Sequence, residues 1–168
     1  MSYGPNAPAL WYTMPEEERD KRAELTSDLC FIDDKYFFIL GRLEIPVLDA
    51  KEVFAWLVWV SLSEKSFART MVLWEIAGRE SEPPFFGWLS TSLPCYPDTL
   101  HLKTNVHTRP VGERPFVELE PTDHPLAIEQ REGITMKRVQ EIAEEVLHGE
   151  TQSASQVDAE ERAKHGFS

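Results

Sequence analysis

Eight consecutive residues, Val53-Phe-Ala-Trp-Leu-Val-Trp-Val60, carry no polar side chain. A half-exposed strand alternates apolar and polar positions, so an uninterrupted apolar run requires cover on both faces. The segment therefore predicts a central strand, with a short buried helix as the alternative that periodicity alone does not separate. A chain with such an element needs enough apolar material to sandwich it. Here 42% of the 168 residues are hydrophobic, with five Trp and nine Phe. That supplies a substantial core and excludes the disordered class.

The flanking segments follow the same logic. Leu29 to Ile32 and Tyr36 to Val47 read as two strands joined at Asp33-Asp34-Lys35. Within the second, Tyr36, Phe38 and Leu40 alternate in one register and Leu43, Ile45 and Val47 in the other. Gly41 lies between them and predicts a β-bulge, and Pro46 predicts an edge position at that end. Ser61-Leu-Ser-Glu64 has capping-box spacing, with Ser61 as the cap of a helix presenting Phe67, Met71 and Trp74 to the core. Gly78 is its expected left-handed stop. Phe85 to Leu89 reads as a short strand or aromatic turn, and Leu93-Pro-Cys-Tyr-Pro97 as a loop.

Thr99 to Thr108 and Pro115 to Glu120 form the clearest hairpin. Placing Val106 opposite Val117 puts Asn105 opposite Glu118 and Lys103 opposite Glu120. Arg109 to Arg114 is then an exposed loop. Thr135 is positioned to cap a final helix carrying Met136, Val139, Ile142, Val146 and Leu147, with Gly149 as its stop. At the other end, residues 1–15 are rich in Pro and aromatics. They predict an extended arm docking Trp11 and Tyr12, followed by a charged helix from Glu16 to Glu24. The expected architecture is a single α+β domain over residues 1–150, with a mainly antiparallel sheet and packed helices. Residues 151–168 are the expected flexible tail.

Charge and composition exclude several functions. A net charge of −12 with scattered Lys and Arg disfavours nucleic acid and anionic membranes as partners. No apolar run reaches transmembrane length, and no window has a signal-peptide pattern, so the expectation is a cytoplasmic protein. Cys30 and Cys95 are expected as two separate thiols. No glycine-rich phosphate loop and no nucleophile elbow occurs. His101 and His107 share an expected strand face but stand roughly 20 Å apart, too far to share a metal.

Ionisable groups crowd only in Glu118-Leu-Glu-Pro-Thr-Asp-His124 and the residues after it. Glu118, Glu120, Asp123 and His124 are the candidate catalytic set of a divalent-metal hydrolase. Their spacing matches no ligand motif, and no metal or cofactor is assigned. The competing account is structural. Asp123 caps a helix whose first position is Pro125, while Glu118 and Glu120 pair across the hairpin. A second candidate region is aromatic. Phe85, Phe86, Trp88 and Tyr96 lie in short segments where such side chains anchor a protein or line a small-molecule pocket. The favoured function is a non-enzymatic binding or regulatory module using these aromatics and the polar hairpin face.

Several phrases also carry a family likeness: Glu24-Leu-Thr-Ser-Asp-Leu-Cys30, Leu43-Glu-Ile-Pro46, Trp59-Val-Ser-Leu-Ser-Glu64, Pro84-Phe-Phe-Gly-Trp-Leu89 and Glu118-Leu-Glu-Pro-Thr-Asp-His-Pro-Leu-Ala127. From about Trp11 to His148 the chain resembles the bacterial family named domain of unknown function 2199. The resemblance implies a bacterial cytoplasmic domain, with no activity or catalytic residue to carry over. Members often open with a Cys-x-x-Cys-Gly segment and a nearby His, like half of a zinc knuckle. This chain has Met1-Ser-Tyr-Gly4 there, and Ala23 where a further Cys often stands. Either the start is shortened or this member dispenses with the metal.

Overall fold

The computed structural model describes residues 1–149. The tail expected over 151–168 lies outside the described residues. Among these, eight strands form one sheet: β1 (Ser2–Tyr3), β2 (Ala23–Leu25), β3 (Leu29–Ile32), β4 (Tyr36–Pro46), β5 (Val53–Leu62), β6 (Phe85–Leu89), β7 (Lys103–His107) and β8 (Phe116–Leu119). The helices are α1 (Ala9–Thr13), α2 (Glu16–Arg22), α3 (Glu64–Val72), α4 (Pro125–Glu132) and α5, which occupies 136–149. The α+β mixture is as expected and most strand pairs are antiparallel, but the sheet closes on itself instead of forming a simple antiparallel layer. Strands β4, β5, β6, β7 and β8 pair in turn, and β8 returns to β4, closing a five-stranded barrel. A meander of odd strand number brings its first and last strands together running the same way. The closing β8–β4 pair is accordingly parallel, as is β1–β5.

The barrel is organised by β4 and β5, which pair without interruption from Phe37↔Leu62 to Pro46↔Val53. Alternate residues of each strand face the barrel interior: Ile39, Leu43 and Ile45 from β4, and Phe54, Trp56, Val58, Val60 and Leu62 from β5. The opposite face is covered separately. Phe38, Leu40 and Trp59 pack with Met14, Cys30 and Ile32, with Leu10 and Trp11 against them. The apolar run is thus a strand covered on both sides, as its composition demands. The apparent phase change in β4 has the same origin. The interior register never shifts, and Phe38 and Leu40 are apolar because the amino-terminal segment lies over them.

Gly41 is therefore not a bulge, since Gly41↔Val58 sits in an unbroken ladder. A Cβ there would stand 2.5 Å from Val117 Cγ2 and 3.1 Å from Pro115 O, so glycine permits β8 to approach β4. Nor is Pro46 on a bare edge, because its carbonyl accepts from Ile134 N at 2.8 Å. Other local expectations shift by a residue or two. Ser63, not Ser61, caps α3 by accepting from Ser66 N at 3.1 Å. Leu73 ends that helix, while Gly78 (φ 85°) precedes the 3-10 turn Arg79–Ser81. The arm is not extended throughout, because α1 occupies Ala9–Thr13; Trp11 packs inward and Tyr12 is exposed. In the hairpin the expected register is present, with Val106↔Val117 and Asn105↔Glu118. Its first strand starts only at Lys103, since His101 adopts φ 69° and breaks the extended run. Thr135 caps α5 through Arg138 N at 3.2 Å, and Gly149, the expected stop, is still helical as the last described residue.

Barrel closure is incomplete. Only Arg42↔Phe116 pairs between β4 and β8, through Arg42 N and Pro115 O at 2.9 Å. Beyond that point the strands separate and the side-chain amide of Gln130, from α4, fills the gap. Its Oε1 accepts from Leu119 N at 2.8 Å, and its Nε2 donates to Val117 O at 2.9 Å and toward Glu44 O at 3.5 Å. One side chain thus replaces the missing rungs of a ladder. Gln130→Leu keeps much of the volume but strands those backbone groups, and should destabilise the fold by about 2–4 kcal/mol. Urea unfolding measures the loss.

Candidate functional site

The outer face of β6, β7 and β8 is set by strand alternation. Phe85, Gly87 and Leu89 of β6 turn inward, so Phe86 and Trp88 point out. On β7 the buried Thr104 and Val106 leave Lys103, Asn105 and His107 outside, and on β8 Val117 and Leu119 leave Phe116 and Glu118 outside. The register arranges these in rows across the barrel wall. Trp88 stands beside Lys103; Phe86, Asn105 and Glu118 form the next row; His107 and Phe116 the third. Phe86 and Trp88 are 44% and 41% exposed, large values for such side chains. Their rings meet edge-on, 5.1 Å apart at 85°. That contact and the strand backbone hold both in place, which limits the entropy either would lose on binding. His107 Nε2 lies 3.1 Å from Glu118 Oε1, so Glu118 engages His107 diagonally rather than Asn105 opposite it.

The other two candidate aromatics take different positions. Phe85 packs against the barrel core. The loop turns at Cys95, whose φ is 74°, and returns Tyr96 onto the barrel. The Tyr96 hydroxyl accepts from Trp56 Nε1 at 3.2 Å and donates to Glu129 Oε2 at 2.6 Å. Glu129 in turn holds Arg138 at 2.9 Å, and the Arg138 guanidinium lies over the Tyr96 ring. Burial, then the Glu129 hydrogen bond, pushes the Tyr96 phenol above its ordinary range. It therefore stays protonated and ties β5, α4 and α5 together.

The acidic run does not converge. Glu118 faces out from β8, and Asp123 is exposed in the turn after it. Glu120 ends the hairpin, its N–H donating to Lys103 O at 3.0 Å. His124, rather than Asp123, is the cap of α4. Its Nδ1 accepts from Leu126 N at 3.1 Å, while Nε2 lies 2.9 Å from Asp98 O. A carbonyl on one side and an N–H on the other require the neutral tautomer protonated at Nε2. Both ring nitrogens are thereby engaged in joining the 97–98 loop to the helix. Among the described residues, no group of three or more His, Cys, Asp or Glu is arranged to hold a metal ion.

Sequence reasoning missed a third feature, at one end of the barrel. There the 109–114 loop is fastened by three arginines. Arg109 reaches Glu44 at 2.7 Å and Arg114 reaches Asp28 at 2.8 Å. Arg79 donates to the carbonyls of Arg109, Trp74, Pro110 and Glu113 at 2.7–3.1 Å. No local pattern announces these bonds, since partners such as Arg114 and Asp28 are far apart in sequence.

The described residues thus form an α+β barrel protein with an aromatic patch on one wall and a fastened loop at one end. The chain belongs to the bacterial family described as "Uncharacterized protein conserved in bacteria" (DUF2199), which matches residues 1–134. That bears out the likeness drawn from the sequence phrases, although the match stops short of α5. No curated protein and no solved structure matches the chain. Among the described residues, no helix is long and apolar enough to cross a membrane.

Two measurements follow from the ionisable groups. Burial pushes the Cys30 thiol up to about 12; burial, then the hydrogen bond and charge of Glu145, does the same for Cys95. Neither supplies a thiolate at neutral pH, so a disulfide reagent should label the native protein more than about a hundredfold slower than the urea-unfolded chain. Burial alone would raise the Asp28 carboxyl, but hydrogen bonds from Arg114 and Ser27 and the Arg114 charge outweigh it and hold it below its ordinary 3.8. A lowered folded value means stability present above 3.8 and lost as pH falls through that folded value. Arg114→Ala should therefore cost roughly 0.5–1 kcal/mol at neutral pH, given the pair's partial exposure. The difference from wild type should shrink toward zero in acid, as read by urea midpoints across pH.

Proposed function

We propose that this chain is a non-enzymatic binding module that takes a protein partner on the outer wall of β6, β7 and β8. One observation carries the reading: two large aromatics, Phe86 and Trp88, stand exposed and mutually braced on a barrel strand. Aromatics of this kind dominate the binding energy of many interfaces, with polar neighbours supplying orientation and a wet rim. Lys103, Asn105, His107 and Glu118 provide that rim. The net charge of −12 argues against nucleic acid as the partner. The two free thiols fit a reducing, cytoplasmic setting. Glu118 belongs to this reading as a rim residue paired with His107, and His124 as a helix cap.

The test is affinity capture from a bacterial lysate with the full chain and with a Phe86→Ala/Trp88→Ala variant. Both side chains are outside the core, so the variant should unfold within about 0.5 kcal/mol of wild type. A partner retained by wild type should be lost by the variant, each truncation costing roughly 2 kcal/mol of binding. Equal retention by the two proteins would overturn the assignment of this face.

A further inference from the structure

A cavity of about 280 Å³ opens at the end of the barrel beneath the 109–114 loop. Its floor is the apolar barrel interior, from Ile39, Phe85 and Val106, and its wall is Thr70 of α3 with Trp74 just beyond that helix. That volume is at the lower edge of ordinary small-molecule pockets, which begin at roughly 300 Å³. Arg79 also lines it, and this residue sets its chemistry.

Arg79 is only 9% exposed. Its guanidinium donates to four backbone carbonyls, and among the described residues no carboxylate lies within ion-pairing distance. Carbonyl dipoles satisfy hydrogen bonds but carry no net charge, so a buried positive charge remains without a counter-charge. The carbonyls use Nε, one N–H of Nη1 and both of Nη2, which leaves one donor on Nη1. The other charges at the opening are answered or screened. Arg109 and Arg114 are paired with Glu44 and Asp28, whereas Glu75 and Glu113 are exposed to water. Inside a low-dielectric cavity the buried cation outweighs solvated carboxylates at the rim. Trp74 and Phe85 add flat apolar surface, with Arg79 lying 5.8 Å from the Trp74 ring centre.

The geometry points to a small-molecule site at the barrel mouth for a compact carboxylate with a flat apolar body. The ring enters over Ile39, Phe85 and Val106 beside Trp74, and the carboxylate meets the unanswered charge of Arg79. The 109–114 loop is the roof, held by the same guanidinium that recognises the ligand. This site is separate from the outer aromatic wall.

Substituting Arg79 would release the loop as well as the charge, so ligand charge and a blocking variant make the better test. The isotope-labelled full chain is titrated with benzoate and with benzamide, its neutral isostere, while the Trp74 indole and loop amides are followed by NMR. Benzoate should give saturable shifts at those positions at millimolar concentration, with benzamide roughly tenfold weaker, the margin of a charge-assisted hydrogen bond. Thr70→Trp, on the helix surface facing the cavity, should abolish the shifts while leaving spectra of the far barrel end unchanged. Equal affinity for both compounds would reduce the site to an unselective apolar void and overturn the anion assignment. Absence of saturable benzoate shifts, or shifts that survive Thr70→Trp, would overturn the site itself.

Discussion

The β4–β5 ladder is the constraint on which the rest of this structure depends. Its ten pairs run unbroken, and both of its faces are covered. One face forms the barrel interior, where Trp56, Phe54 and Leu43 are fully buried. The other receives the amino-terminal segment, β3 and the small helices, which explains why so short a chain spends large aromatics on two sides of one strand pair. Burying side chains such as Trp56 and Trp59 contributes about 2–3 kcal/mol each. That burial also offsets the entropy of ordering an arm whose own contacts are few.

Closure is the weaker half of the design. A meander of five strands must end in a parallel pair, and here that pair is one bridge beside Gly41, continued by the amide of Gln130. Inserting a helix side chain between two strands lets α4 leave the barrel wall and lets the 134 segment rejoin the end of β4. The Tyr96–Glu129–Arg138 chain of contacts then fastens α4 to α5 and to Trp56. Several ionisable groups in and after the acidic stretch take part in such contacts. His124 caps, Glu129 bridges, and Glu118 pairs with His107 on the wall. The surfaces proposed for recognition are the braced aromatics of β6 and the barrel mouth under Arg79.

Much of the local structure was legible in the residues. The strands at Leu29–Ile32 and Tyr36–Pro46, the hairpin register at Val106↔Val117 and the Thr135 cap all rest on short-range physics: alternation, turn chemistry and capping geometry. The errors cluster where a distant element changes the meaning of a local signal. Gly41 read as a bulge because the partner strand that forbids a Cβ lies more than 70 positions away. Asp123 and Ser61 read as caps because spacing permits two candidates a residue or two apart, and only the end of the preceding strand or turn chooses between them.

Sequence alone determined that this chain has a two-sided central strand, a precise hairpin, a net charge of −12 and membership of its family, because each depends on residue identities and the spacing of near neighbours. Tertiary structure alone decided that the sheet closes into a barrel, since interior and exterior alternate identically in an open sheet and a closed one. It also decided which aromatics remain outside. Phe85, Phe86, Trp88 and Tyr96 are indistinguishable as apolar letters, but strand parity turns Phe85 in, loop geometry folds Tyr96 onto Trp56, and Phe86 and Trp88 are left facing water.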